Sequence, residues 1–166
     1  MIYPIIFFDN NQIYPFSVEC FRRFVLYEKG IHVPITCKKA KELLALLVLE
    51  NKAYISKKHL AVMLWPDADE QHARDCLYKT LRWIKKRPTI CKAFSLKIAR
   101  ELIYIDTSGI KRDIDEFDNC YNMRDNPIFR QRALQLYKGK LLEQEYYDWS
   151  IDYQIFYEIR YEDLLK

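Results

Sequence analysis

The chain is 166 residues long, half of them apolar, with 30% charged residues and a formal net charge of +4. That is enough apolar material for a packed core in one domain or two small ones, which excludes a disordered chain. The charge is unevenly divided: residues 1–112 hold 20 Lys/Arg and 11 Asp/Glu, whereas residues 113–166 hold 7 and 12, the asymmetry expected when one part meets a polyanion and the other does not.

The longest strongly apolar run, Leu43 to Leu49, is far too short to span a bilayer. No segment reads as a signal peptide, so no membrane association and a cytoplasmic location are expected. Five scattered cysteines (Cys20, Cys37, Cys76, Cys91, Cys120) form no CxxC pair, and His32, His59 and His72 are far apart. They read as free thiols in a reducing compartment, with no metal and no cofactor expected.

In chain order, Ile2 to Phe8 is apolar and Asp9-Asn10-Asn11 is a turn signal. Phe16 to Cys20, Phe24 to Tyr27 and Ile31 to Ile35 are strand-like, with a turn at Glu28-Lys29-Gly30. These predict a small antiparallel sheet. Thr36 is the expected N-cap of a first helix reaching Glu50, with Ala40, Leu43, Leu44 and Leu47 as its core stripe and Asn51 as its stop. Ser56 caps a second helix, Lys57 to Trp65, which Pro66 ends. Acidic Asp67-Ala68-Asp69-Glu70 precedes a third, because carboxylates favour the positive end of the helix dipole.

That third helix, Gln71 to Arg87, carries the most information. Ala73, Cys76, Leu77, Leu81 and Ile84 fall on one side at core-facing spacing. Arg74, Tyr78, Arg82 and Lys85 line the other, flanked by Lys79 and Lys86. A helix packed on one face and basic on the opposite one can lie in a DNA groove, its cations meeting phosphates and base edges. Arg74, Tyr78 and Arg82 are the expected groove contacts, and Lys79, Lys85 and Lys86 the phosphate contacts.

Beyond Pro88, the alternation of Phe94, Leu96 and Ile98 with Ser95 and Lys97, then of Ile103 and Ile105 with Tyr104, predicts a β-hairpin over Ala93 to Asp106 with Arg100-Glu101 at its tip. Lys97 and Arg100 on this hairpin, and Lys57 and Lys58 at the start of the second helix, are further candidate DNA contacts. Lys38, Lys39 and Lys41 are a weaker set. Three helices and a hairpin form the layout of a winged helix-turn-helix. The remainder is helical: Ile114 to Met123, Pro127 to Tyr137 and Trp149 to Leu165, the last with Trp149, Ile151, Ile155, Phe156, Ile159 and Leu164 as packing candidates. Asp113, Asp115, Glu116 and Asp118 read as acidic residues at a helix start, without the glycine and distal glutamate of a calcium loop. Trp65 and Trp83 read as packing residues.

No enzyme signature is present. The three glycines (Gly30, Gly109, Gly139) form no phosphate-binding loop, and GxSxG, HExxH and a Cys/His pair with a third orienting group are all absent.

The stretch from Lys38 to Lys86 resembles the effector domain of OmpR-type regulators, in the branch of the Streptomyces antibiotic regulatory proteins. The likeness rests on the Lys/Ala/Glu-Leu-Leu pattern of Lys38 to Leu47, on Leu64-Trp65-Pro66-Asp67, and on Ala73-Arg74 opening the basic helix. Cys20 to Leu26 and Gly30 look like that family's N-terminal strand and turn. Asp113-Ile114-Asp115-Glu116-Phe117 and Ala133 to Leu142 are similar to motifs of the bacterial transcriptional activator domain that follows it, and Trp149 with the Arg160/Leu164 helix resembles what comes next. The resemblance covers residues 20–166. It departs at Arg22, where the family often has Gly, at Asp75 and Tyr78, where Arg or Asn is usual, and at Leu102-Ile103-Tyr104, which replaces a Gly-Tyr motif.

The resemblance implies an α+β winged helix-turn-helix over 1–109, made of an N-terminal antiparallel sheet, three helices and a C-terminal hairpin wing. An all-α, tetratricopeptide-like segment follows over 110–166, shorter than the family's helical domain. It implies a transcription regulator, an activator, that binds double-stranded DNA as two copies, with RNA polymerase as a further partner. The alternative reading is a protein-interaction module in which the winged helix no longer binds DNA, favoured by Asp75 and Tyr78 on the groove face.

Overall fold

A computed structural model describes residues 14–166. The apolar run at 2–8 and the turn at 9–11 lie outside them.

Three strands open the described chain: β1 (Phe16–Glu19), β2 (Val25–Glu28) and β3 (Ile31–Val33), paired antiparallel as expected. Phe16 and Val18 alternate inward along β1, the period-2 pattern that fixes strand register. The next elements are α1 (Lys38–Glu50), β4 (Tyr54–Ser56), α2 (Lys57–Leu64), α3 (Glu70–Lys85) and α4 (Pro88–Phe94). After them come β5 (Lys97–Ile98), β6 (Leu102–Tyr104), β7 (Ile110–Arg112), α5 (Asp113–Asn122), α6 (Pro127–Leu136), a 3₁₀ turn at Asp148–Ser150 and α7 (Ile151–Leu165). The two sheets run β3-β2-β1-β7 and β4-β6-β5.

Helix α1 is the centre of the molecule. All of Leu43 to Val48 is buried, not only the expected stripe, because a helix apolar on every side is stable only when surrounded. The expected Thr36 cap is corrected: Cys37 holds the N-cap position, without a side-chain hydrogen bond. Asn51 ends the helix in the left-handed conformation. Ser56 caps α2, its hydroxyl accepting the His59 N–H at 3.3 Å, and Asp69 caps α3, accepting the His72 N–H at 2.8 Å.

The expected hairpin is narrower than its alternation implied. Ala93 and Phe94 are buried in α4, which Pro88 begins, so their alternating phase belongs to a helix end. Only Lys97–Ile98 and Leu102–Tyr104 pair, and the tip is closed by the Ala99 N–H donating to the Leu102 carbonyl at 2.9 Å. The three-residue strand β4 completes this sheet.

Strand β7 was not foreseen, and it ties the two halves together. It runs parallel to β1 and so places residues from beyond 109 inside the first sheet. The β1–β2 connection is then gripped from the C-terminal side. The Cys20 and Phe21 N–H groups donate to the Asp113 carboxylate at 2.8 and 3.0 Å. The Leu142 N–H donates to the Cys20 carbonyl, the Arg22 N–H to the Lys140 carbonyl, and the Phe24 N–H to Glu145 Oε1. Phe21 inserts among Phe117, Tyr137 and Tyr157, with ring centroids 5.2, 5.2 and 5.4 Å away. One hydrophobic core, rather than two, runs from Phe16 to Leu164.

Helix α7 corrects a packing expectation. Ile151, Ile155, Phe156 and Ile159 are exposed, and Tyr157 and Leu164 are its buried residues. Tyr153, Tyr157 and Tyr161 recur every four residues and form the inner face. The Tyr157 hydroxyl donates to Asp118 at 3.2 Å and Tyr161 stacks on Tyr137 at 4.1 Å. Tyr157 wins because its ring joins Phe21 and Phe117 while its hydroxyl finds Asp118 at the rim, and Tyr161 and Tyr153 follow on the same side by packing on Tyr137 and Trp149.

Candidate nucleic-acid interface

Helix α3 is held by the face that hydropathy marks. Ala73, Leu77, Leu81 and Ile84 are buried, while Cys76 is only half-buried. Thr80 takes the place expected of Cys76, since its hydroxyl donates to the Cys76 carbonyl at 2.9 Å and the polar group is thereby satisfied inside the helix. This burial leaves Arg74, Asp75, Tyr78, Lys79, Arg82, Lys85 and Lys86 exposed. Among the described residues none of the five cations in that set forms an ion pair. Asp75 is turned aside, accepting from Gln71 Nε2 at 3.0 Å. The next cation along, Arg87, is committed to structure: its guanidinium lies 3.5 Å from the Trp83 ring centroid and donates to the Trp83 carbonyl at 2.7 Å.

Tertiary structure brings distant candidates to this helix. Lys57 and Lys58 of α2 and Arg100 of the hairpin tip line one cavity with Arg74 and Tyr78. The Lys57 N–H donates to the Glu101 carbonyl at 3.0 Å, which docks the tip on the start of α2. The Lys57 ammonium sits 5.1 Å from the centroid of the Tyr78 ring. Lys79, Arg82, Lys85 and Lys86 extend the basic strip along α3 towards its C-terminus. Lys97 is not brought in; it pairs with Tyr104 across the hairpin, beside the Tyr54–Tyr104 ring pair.

Two of the weaker lysine set are consumed elsewhere, while Lys38 stays exposed. Lys39 binds Glu42 and the Leu64 carbonyl, at 2.9 and 2.7 Å, and Lys41 pairs with Glu145 at 2.7 Å. Trp65 and Trp83 are partly buried against the core. The carboxylates of α5 are each engaged within the fold. Asp115 takes a two-point contact from Arg112 at 2.6 and 2.7 Å, and Asp118 accepts from Arg160 at 2.6 Å. Glu116 pairs with Arg132 at 2.7 Å. Burial pushes the Asp113 carboxyl up to about 6, against the opposing pull of its N–H donors. Among the described residues no cluster of His, Cys, Asp or Glu is arranged to hold a metal ion, and all five cysteines are free. Among the same residues, no helix is long and apolar enough to cross a membrane.

Sequence reasoning missed the cavity, because its lining comes from three elements and only α3 shows a continuous pattern. No local signal marks it, because the pairing of Ser56 with Leu102 that sets the hairpin tip against α2 joins residues far apart in sequence.

This is a mixed α/β fold with an uncompensated basic helix on its surface. No protein-family model matches the sequence, and no curated protein matches it. Among solved structures, the fold is similar to that of Mycobacterium tuberculosis EmbR in complex with low affinity phosphopeptide. The TM-score is 0.61 and the identity 14%, over 91% of this chain and 42% of that one. The chain thus spans less than half the length of that neighbour.

Proposed function

We propose that this protein is a non-enzymatic, sequence-specific double-stranded DNA-binding transcription regulator. In this reading α2 and α3 form the helix-turn-helix of a winged-helix unit of the OmpR type, and α3 enters the major groove. The β5–β6 hairpin is a short wing, and α5 to α7 begin a tetratricopeptide-like segment that makes protein contacts. The observation that carries the reading is the strip of exposed, unpaired cations along α3, joined by Lys57, Lys58 and Arg100 across the cavity mouth. The likeness in fold to EmbR supports it. Arg74, Tyr78 and Arg82 are assigned to base edges and Lys79, Lys85 and Lys86 to phosphates; Lys97 lies apart and ranks last. Activation, a two-copy complex on DNA, contact with RNA polymerase and action in the cytoplasm follow from the family resemblance.

The test is fluorescence anisotropy on random-sequence duplex over a salt series. Log affinity is expected to fall linearly with log salt, by about 0.9 per phosphate contacted. Replacing Lys79 and Lys85 with Ala is expected to weaken this binding and to lower the salt slope by about 1 each, whereas replacing Arg74 and Arg82 with Ala is expected to cost about 1–3 kcal/mol each on a selected operator. Absence of binding at low salt rejects the reading. A second reading, a protein-docking module, is favoured by one observation: the outward face of α7 exposes Ile151, Ile155, Phe156 and Ile159.

A further inference from the structure

The cavity between α2, α3 and the hairpin tip is more than a junction of cations. It encloses ≈ 450 Å³, within the roughly 300–1,000 Å³ of small-molecule sites. Its floor is apolar: Ala61, Leu77 and Leu81 are buried beneath it, and Val62 and Trp65 form a wall. Its mouth is cationic, with Lys57, Lys58, Arg74 and Arg100 around it. Two carboxylates also line it, Glu70 and Glu101, and Arg100 stands 3.8 Å from Glu101. Lys57, Lys58 and Arg74 form no ion pair among the described residues, so the mouth keeps a surplus of positive charge. Tyr78, 48% exposed, offers a ring edge and face at the rim.

Each part of this lining selects. A bare inorganic anion gains nothing from the apolar floor, and an uncharged hydrocarbon gains nothing from the cations. A cationic ligand is repelled by the rim. A flat aromatic body bearing one carboxylate or sulfonate satisfies both, its ring on the Ala61–Leu77 floor and its anion among Lys57, Lys58 and Arg74. Such a ligand would occupy Arg74, which the DNA reading assigns to a base edge, and Lys57 and Lys58, which it counts as further DNA contacts.

We propose that this cavity binds a small aromatic monoanion, and that its occupancy excludes duplex DNA from α3. The first half stands on the cavity alone; the second rests on the DNA-binding reading.

The probe is anilinonaphthalene sulfonate, an aromatic sulfonate whose emission rises in an apolar site. The whole chain is expected to bind it saturably, one per chain. Val62, 59% exposed at the mouth, is replaced in Val62→Glu, which adds a carboxylate without emptying the core. This variant should melt as the parent does and bind the dye at least about tenfold more weakly, from like-charge repulsion. Ile155→Lys on the exposed face of α7 should bind it as the parent does. Duplex DNA should displace the dye. Absence of saturable binding overturns the site, as does binding that survives Val62→Glu or is lost in Ile155→Lys. Simultaneous binding of dye and duplex overturns the competition. If the salt series without dye shows no DNA binding, the DNA reading and with it the competition fail, while the Val62→Glu arm still decides the ligand site.

Discussion

Arg22 shows how one side chain can sit against the preference of its backbone. Its φ is +75°, a region that favours glycine, and it is also the position where the chain departs from the glycine common in the family it resembles. The conformation is imposed by its neighbours: the Arg22 N–H donates to Lys140 and its carbonyl accepts from Gln144. Arg22→Gly is therefore expected to stabilise the protein by about 0.5–1 kcal/mol, read as a higher urea midpoint at unchanged slope. Asp113 makes a second residue-scale prediction. Burial pushes its folded pKa up to about 6, above the ordinary range of an aspartate, so the folded state holds this proton more tightly than the unfolded chain. The stability contributed by the protonated group is complete below the unfolded value and is lost as pH rises through the folded one. Urea titrations between pH 4 and pH 6.5 should show the parent losing stability relative to Asp113→Asn as pH rises. A flat difference would mean that the carboxyl is not held in this way.

At the scale of elements, α3 is the most legible part of the chain because two independent signals agree on it. Apolar spacing names its inner face, and acidic Asp69-Glu70 names its start. Asp69→Ala should cost about 1 kcal/mol through the lost cap, measured by thermal unfolding. Helix α7 gives the opposite lesson. Hydropathy ranks isoleucine above tyrosine and so marks the Ile151–Ile155–Ile159 stripe, but the fold buries the tyrosine stripe beside it. Local pattern could not choose, because the choice is made by the ring cluster contributed from residues 21, 117 and 137. The narrow hairpin is a similar case. Alternation over Phe94 to Ile98 fits a strand, yet packing assigns its first residue to α4.

At the scale of the whole molecule, the expected boundary after residue 109 is crossed by β7, by Asp113 and by the backbone contacts of Leu142 and Gln144. The two halves are thus expected to unfold together, in one urea transition seen alike by tyrosine fluorescence and by far-ultraviolet dichroism. Phe117→Ala, at the centre of the shared ring cluster, should cost about 3–5 kcal/mol and lower the midpoint for both probes equally. Two separated transitions would show that the core divides. The charge asymmetry survives this coupling. The basic strip belongs to α3 and its neighbours, while the acidic residues of α5 are spent on Arg112, Arg132 and Arg160.

By itself the sequence determined helices α1, α2 and α3, the Ser56 and Asp69 caps and the exposed side of α3, because those depend on spacings of three and four residues and on side chains adjacent to the backbone they cap; it missed α4 and misplaced the cap of α1. It also determined that Arg74, Arg82 and their neighbouring lysines would face outward, since the buried face leaves them nowhere else to go. Tertiary structure alone decided that Lys57, Lys58 and Arg100 meet at one cavity, that β7 joins β1 in parallel, and which stripe of α7 faces the core. Each of these depends on residues far apart along the chain, and short-range periodicity carries no information about which distant surfaces will meet.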